Sequence, residues 1–385
     1  MQPLSQGITS LQRSGIREVM DLAFQRSDVL RLEVGDPDFP TPAHIVAAAV
    51  EAAPRYTHYT PSRGLGEVRE ALAAKMTAFN GIPARATDVV VTAGGGHGLF
   101  SVYRGLMDPG DAILIPDPGW PNYRTIASLC SVDTVSYPLP RESGFLPDLE
   151  QLERLVTTTP RLKAVLVSSP SNPTGAVWPR EVLQAVVDMC TRHDVYLISD
   201  ECYEAIVFDR EHVSPATLGR LGHTISLFTV SKTYAMTGWR LGYVNGPADV
   251  LDAVGKVVES SVSCASAISQ KAAEAAVLGD QSCVAEMVAA YRSRRDLAMT
   301  LLEEEGMSAI VPHGAFYVMV SVPTDDTLDF ARRLVRHAGV AVAPGDAFGQ
   351  EGRGMIRISL ASHPETIREG VHRLAAFCRA EVPPM

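Results

Sequence analysis

The stretch Asp88-Val-Val-Val-Thr-Ala-Gly-Gly-Gly96 decides the fold. A short run of β-branched residues without polar alternation reads as a strand buried on both faces. Gly94 to Gly96 then reads as the opening of a helix that runs to about Met107. The same pattern recurs along the chain. Asp111-Ala-Ile-Leu-Ile-Pro116, Leu162-Lys-Ala-Val-Leu-Val-Ser168, Val195-Tyr-Leu-Ile-Ser199 and Thr224 to Val230 are further strand-like runs, and Arg240 to Val244 is a sixth. Pro179 suits the first turn of a helix reaching about His193. Continuous apolar strands separated by helices predict an α/β protein with a mainly parallel sheet covered on both faces. Beyond Ala248 the character changes. Two long helical stretches, 247–278 and 281–305, precede strand-like pieces at Ala315 to Val322, Val340 to Ala343 and Met355 to Leu360. Helices near 327–337 and 364–380 complete what reads as a smaller α+β lobe.

The 385 residues are about two to three domains' worth of chain. Hydrophobic residues make up 46% against 20% charged, which excludes intrinsic disorder. The net charge of −10, with no run of five basic residues, lacks the footprint of a nucleic-acid binder. No apolar stretch reaches the roughly 18–20 residues of a membrane span. Met1 to Met20 carries no secretory-signal pattern. Six scattered cysteines without a CxxC pair predict reduced thiols, no zinc site and a cytoplasmic location.

In open parallel sheets, ligands bind beyond the carboxyl ends of the strands. Four strand ends deliver polar groups: Gly94 to Gly96, Asn172, Asp200 with Tyr203, and Ser231 with Lys232. A lysine emerging from a buried strand loses hydration, and an unprotonated amine is what Schiff-base chemistry requires. A buried Asp200 needs a cationic partner, for which a pyridinium nitrogen is suitable. The glycines offer backbone N–H groups and a helix dipole to an anion. Arg240, eight residues after Lys232, could pair with a phosphate. Each signal alone also fits a structural role: an exposed loop lysine, a solvated strand-end aspartate, a tight glycine turn or a surface arginine. No Walker A, HExxH or GxSxG pattern is present.

Together, however, the residues match a known pattern. Ser231-Lys-Thr-Tyr-Ala-Met-Thr-Gly-Trp-Arg-Leu-Gly-Tyr243 closely resembles the cofactor-lysine segment of the class I aminotransferases, pyridoxal-phosphate enzymes of fold type I. Ser171-Asn-Pro-Thr-Gly175 and Ser199-Asp-Glu-Cys-Tyr203 match two more family segments in the right order. Gly35-Asp-Pro-Asp-Phe-Pro-Thr-Pro42, Tyr59-Thr-Pro-Ser-Arg-Gly-Leu-Gly66 and Arg357-Ile-Ser-Leu-Ala361 extend the likeness from about Gly15 to Ala361. The resemblance implies a three-layer αβα large domain, residues 45–285, and a small α+β domain assembled from 1–44 and 286–385.

It also implies roles. Lys232 is expected to bond the cofactor, pyridoxal 5′-phosphate, and to shuttle the proton between substrate Cα and cofactor C4′. Asp200 would hold the pyridine nitrogen protonated, and Tyr203 and Asn172 would bond the phenolic oxygen. Trp120 would stack on the ring. Gly95, Gly96, Thr229, Ser231 and Arg240 would hold the phosphate. Tyr59 would reach the phosphate of the neighbouring subunit, making a homodimer with shared sites. Arg357 would fork onto the substrate α-carboxylate, assisted by Asn172 and the Gly35 backbone.

The implied activity is transfer of an amino group from an L-amino acid to a 2-oxo acid by a ping-pong mechanism. The cofactor set equally suits a C–S β-lyase, a cyclising γ-elimination enzyme or an amino-acid oxidase. A regulator with an aminotransferase-like domain would carry a basic DNA-binding domain that this sequence lacks. Two features depart from the acidic-substrate relatives. Gly96 and His97 stand where a lysine often follows the paired glycines, which counts against aspartate specificity. His97 itself fits a helix-facing structural role better than substrate contact. The segment around Ile16 resembles the lid that shapes side-chain preference.

Overall fold

A computed structural model describes residues 4–9, 11, 13–219 and 222–381. Seven strands form the main sheet: β1 (Val89–Thr92), β2 (Ala112–Asp117), β3 (Asp133–Pro138), β4 (Leu162–Ser168), β5 (Tyr196–Asp200), β6 (Thr224–Thr229) and β7 (Gly242–Asn245). Their order is β1-β7-β6-β5-β4-β2-β3. β3, β2, β4, β5 and β6 are parallel neighbours. β7 alone is reversed, antiparallel to both β6 and β1.

Successive side chains of a strand point to opposite faces, so each strand serves two cores. On one face Val90, Ile113, Leu166, Ile198 and Leu227 pack with Leu99 and Val102 of helix Gly95–Leu106 and Val254 of helix Ala248–Val262. On the other face Val89, Val91 and Phe228 pack under Ile45, Val68 and Leu72. Further along that face Leu114, Val165, Val167 and Leu197 meet Leu152, Leu183 and Val186. The expected helix–sheet–helix layering is what these clusters make.

A second, antiparallel sheet contains β8 (Ala309–Ile310), β9 (Tyr317–Ser321), β10 (Ala343–Pro344) and β11 (Met355–Ser359), in the order β10-β11-β9-β8. Leu30–Arg31 pairs in parallel with Val340–Ala341. One core joins Val19, Ala23 and Leu32 to Ala298, Phe330, Leu334, Val371 and Leu374. The two ends of the chain therefore share a hydrophobic core, which clamps the early residues beside the strand ends of the main sheet.

The structure departs from the sequence reading in several places, among them the piece Val340 to Ala343, which divides into Val340–Ala341 and Ala343–Pro344 in different sheets. The stretch 247–278 is two helices, Ala248–Val262 and Ala267–Leu278, separated at Ser263, whose φ is 63°. Ser266 caps the second helix by accepting from the Ser269 N–H. A serine break offers no Gly or Pro to announce it. β3 escaped notice because Asp133-Thr-Val-Ser-Tyr-Pro138 is a partly exposed edge strand with little apolar periodicity. The run from Arg240 begins as a strand only at Gly242, because Arg240 is left-handed with φ 53°. Pro179 sits at the N-cap of helix Arg180–Arg192, one place before the first turn.

Candidate active site

The carboxyl ends of β5 and β6, the N-terminus of helix Gly95–Leu106 and the junction with β11 enclose a cavity of about 300 Å³. Lys232 lies on the short helix Val230–Thr233 that follows β6 directly. Thr229 caps this turn: its Oγ1 accepts the Ser231 N–H at 3.1 Å and lies 2.8 Å from Ser231 Oγ. The cap fixes Lys232 at the cavity floor, where its Nζ donates to the Gly35 carbonyl at 2.7 Å. Burial pushes this amine down to about 8, against an upward pull from Asp36. Desolvation disfavours the charged form, so a larger share of this amine is neutral and nucleophilic near neutral pH than of an exposed lysine, although the charged form still predominates below pH 8.

Asp200 ends β5 and is buried. Its Oδ2 accepts the Tyr123 hydroxyl at 2.6 Å, and its Oδ1 accepts the Cys202 N–H at 3.2 Å. Burial pushes the carboxyl up despite these two donors. Among the described residues no cation pairs with it. A carboxylate held in place by neutral donors is arranged for a cation that arrives from the cavity.

The anion end of the cavity is built from two pieces. Gly94, with φ 90°, is the N-cap of helix Gly95–Leu106, so the first N–H groups of that helix, at Gly95 and Gly96, lack intrahelical partners. Arg240 packs against it so closely that a Cβ on Gly94 would run into its Nη2. Arg240 Nη1 donates to the Thr237 carbonyl at 2.9 Å, and the guanidinium makes no ion pair among the described residues. Gly242 is equally tight, since a Cβ there would come within 2.8 Å of Gly94 C and Gly95 N. Trp120 stands beside Gly96, edge-on to Tyr123 with ring centroids 5.6 Å apart.

Arg357 enters from β11 and is buried, with burial lowering its pKa. Nη1 donates to Asn172 Oδ1 at 2.7 Å and Nη2 to the Glu33 carbonyl at 2.6 Å, while Nε has no partner. These bonds turn the guanidinium into the cavity as a fixed fork for a carboxylate. The other wall is apolar. Ile16 and Met20 of helix Gly15–Phe24 line it with Val34.

The structure thus brings together Gly35, Gly95, Gly96, Trp120, Asn172, Asp200, Tyr203, Thr229, Ser231, Lys232, Arg240 and Arg357. It leaves Tyr59 out: that ring is 87% exposed, beside a surface groove formed with Cys264 to Ile268. His97 faces away, with Nδ1 accepting the Ala93 N–H at 3.2 Å and Nε2 lying 2.9 Å from Ser261 Oγ. Among the cavity residues that escaped the sequence reading are two tyrosines. Tyr123 and Tyr317 both line the cavity, but aromatic residues in a helix turn and a strand read as ordinary core. Below the site Glu201, Glu204 and His212 lie close together. Their oxygens are already engaged, by Lys75 and Asn80 on Glu204 and by His212 and Ser214 on Glu201.

A fold with a buried lysine, an unpaired strand-end carboxylate and an anion cradle defines a pyridoxal-phosphate enzyme of fold type I. Residues 27–374 match the model of the family described as aminotransferase class I and II, and the chain belongs to that family. Among its relatives is the aspartate/prephenate aminotransferase of Thermus thermophilus, 38% identical over 97% of this chain and 98% of the relative. Another is an arginine–pyruvate transaminase of Pseudomonas aeruginosa, 38% identical over 93% and 92%. The solved aspartate aminotransferase from Thermus thermophilus with maleate superposes with a TM-score of 0.93 at 37% identity, covering 98% of this chain and all of that one.

The chain is therefore an aminotransferase that uses pyridoxal phosphate to move amino groups between amino acids and 2-oxo acids. Its residues fit the cofactor. The cradle at Gly94 and Arg240 suits a phosphate, Asp200 lacks a cation, and the Lys232 amine suits an aldehyde carbon.

Proposed function

We propose that Lys232 is both the cofactor-bonding lysine and the proton carrier of this aminotransferase. The observation that carries the reading is its amine, depressed to about 8 in a cavity shared with Asp200 and Arg357. When bound, pyridoxal phosphate supplies an electron sink for the pair left as the substrate Cα–H bond breaks. The residues of the chain do the rest. Asp200, held by Tyr123 and Cys202, keeps the ring nitrogen protonated. Asn172 and Tyr203 serve the phenolic oxygen, and Trp120 covers a ring face. Gly95, Gly96, Thr229, Ser231 and Arg240 hold the phosphate. Arg357 would grip the α-carboxylate and set the Cα–H bond toward Lys232, whose amine would take the proton from Cα and deliver it to C4′, two atoms along.

The cations lining the cavity are Lys232, Arg240 and Arg357, and this reading commits all three. Ile16, Met20 and Val34 remain for the side chain. That supports donors with uncharged side chains over aspartate, a choice that the relatives' names, spanning aspartate, prephenate and arginine, do not make. The exposed Tyr59 supports a homodimer in which it completes the partner's phosphate site. The shared core of the chain ends supports the division into 45–285 and 1–44 with 286–385. Six unpaired cysteines support a cytoplasmic location.

A panel of amino donors against pyruvate, 2-oxoglutarate and oxaloacetate tests the assignment. Aromatic or aliphatic donors should exceed aspartate in kcat/KM, and Lys232→Ala should bind cofactor without turnover. Near-normal turnover in that variant, or release of pyruvate and ammonia without an acceptor, would sink the reading.

A further inference from the structure

The buried Tyr317 touches both Arg357 and Tyr203 of the proposed site. It is the first residue of β9, paired with Ser359 on β11. Arg357 lies two residues further along β11 on the same face, the diagonal position that long side chains can reach. The guanidinium carbon of Arg357 stands 4.1 Å from the Tyr317 ring centroid. At the far end of the ring, the Tyr317 hydroxyl is 2.7 Å from the Tyr203 hydroxyl. A Cβ on Gly35 would run into that same hydroxyl, and Gly35 is the residue whose carbonyl receives Lys232. Phe316, tilted at 4.9 Å, and Tyr203, edge-on at 5.7 Å, fix the ring from two sides.

We propose that Tyr317 is a positioning residue with two separable tasks. Its ring holds the Arg357 fork flat for the substrate carboxylate, and its hydroxyl donates to Tyr203 so that the Tyr203 proton is directed at the cofactor's phenolic oxygen. The inference rests on the roles given above to Tyr203 and Arg357. A phenol whose oxygen accepts a hydrogen bond becomes a stronger donor, because bonds in a chain polarise one another. A stronger donor at the phenolic oxygen stabilises charge there and disfavours protonation beside it. The hydroxyl of Tyr317 therefore lowers the pH at which the bound cofactor changes absorbance. The ring works differently: a cation over an aromatic face inside a buried site is held by the ring quadrupole, whatever the hydroxyl does.

Two readouts on the holoenzyme separate the tasks. In Tyr317→Phe the absorbance transition of the bound cofactor should move up by about 0.4 to 1 pH unit, the scale of one neutral hydrogen bond. The affinity for 3-phenylpropionate, a non-reacting carboxylate, should stay within about twofold because the ring remains. In Tyr317→Leu that affinity should fall roughly 3- to 30-fold, the scale of a desolvated cation–π contact. Tyr317→Met replaces the leucine variant if the latter fails to fold. The double variant Tyr203→Phe with Tyr317→Phe should show the same transition as Tyr203→Phe alone, since the second hydroxyl acts through the first. If Tyr203→Phe moves the transition and Tyr317→Phe does not, the hydroxyl task is wrong and the reading of Tyr203 survives. If the leucine or methionine variant binds the carboxylate like the parent, while Arg357→Ala does not bind it, the ring task is wrong. If Tyr203→Phe and Arg357→Ala change nothing, the underlying reading falls with the proposal.

Discussion

Replacing Lys232 by methionine should stabilise the cofactor-free protein, and by an amount that shrinks as the pH rises. An ordinary lysine titrates at 10.5, and burial brings this one to about 8. That gap corresponds to roughly 3 kcal/mol of cost in keeping the charged amine folded. Between these two values the unfolded chain holds more protons than the folded one, so the parent's stability rises with pH. Above 10.5 the cost vanishes, and below 8 it is paid in full. At pH 7 the charge costs roughly 3 kcal/mol and at pH 9 roughly 2 kcal/mol. Methionine has no charge to bury, but it loses the bond to the Gly35 carbonyl, an offset of about 1 kcal/mol. The change with pH is the cleaner quantity. Urea titrations of both proteins stripped of cofactor, at one protein concentration, should show the difference narrowing by roughly 1 kcal/mol from pH 7 to pH 9. A constant difference across that range would refute the depressed amine and the nucleophile argument built on it.

Other perturbations test other parts of the site. Tyr123→Phe removes a 2.6 Å donor from the buried Asp200 carboxyl, and chemical denaturation should show a loss of about 1–3 kcal/mol. Gly94→Ala places a methyl against Arg240 at a residue with φ 90°, and equilibrium dialysis should show cofactor affinity falling about tenfold or more, as for a disrupted charge-assisted contact. Ser263→Gly relieves a φ of 63° between two helices, and thermal unfolding should show a gain of about 0.5–1 kcal/mol.

What the sequence made legible follows from local physics. Val89 to Val91 and Leu162 to Ser168 announced buried strands because β-branched runs without polar alternation have few other homes. Lys232, Asp200 and Asn172 were visible because each follows such a run at the end of the sheet where ligands bind. β3 was hidden by its edge position, and the reversal of β7 was hidden because a strand's direction leaves no mark on its side-chain pattern. Tyr123 and Tyr317 were hidden for another reason. Their roles are long-range, across 77 residues to Asp200 and 114 to Tyr203, and a buried tyrosine in isolation looks like packing until its hydroxyl has a partner. Tyr59 is the converse case: its motif was clear, yet its ring is exposed on the single chain.

The central claim is that Lys232 bonds the cofactor. Borohydride reduction of the holoenzyme followed by peptide mass mapping tests it directly. The account predicts the reduced cofactor on the peptide containing Lys232, and no labelled peptide from Lys232→Ala. A label on Lys75 or Lys271, or an unmodified Lys232 peptide from fully loaded enzyme, would contradict it.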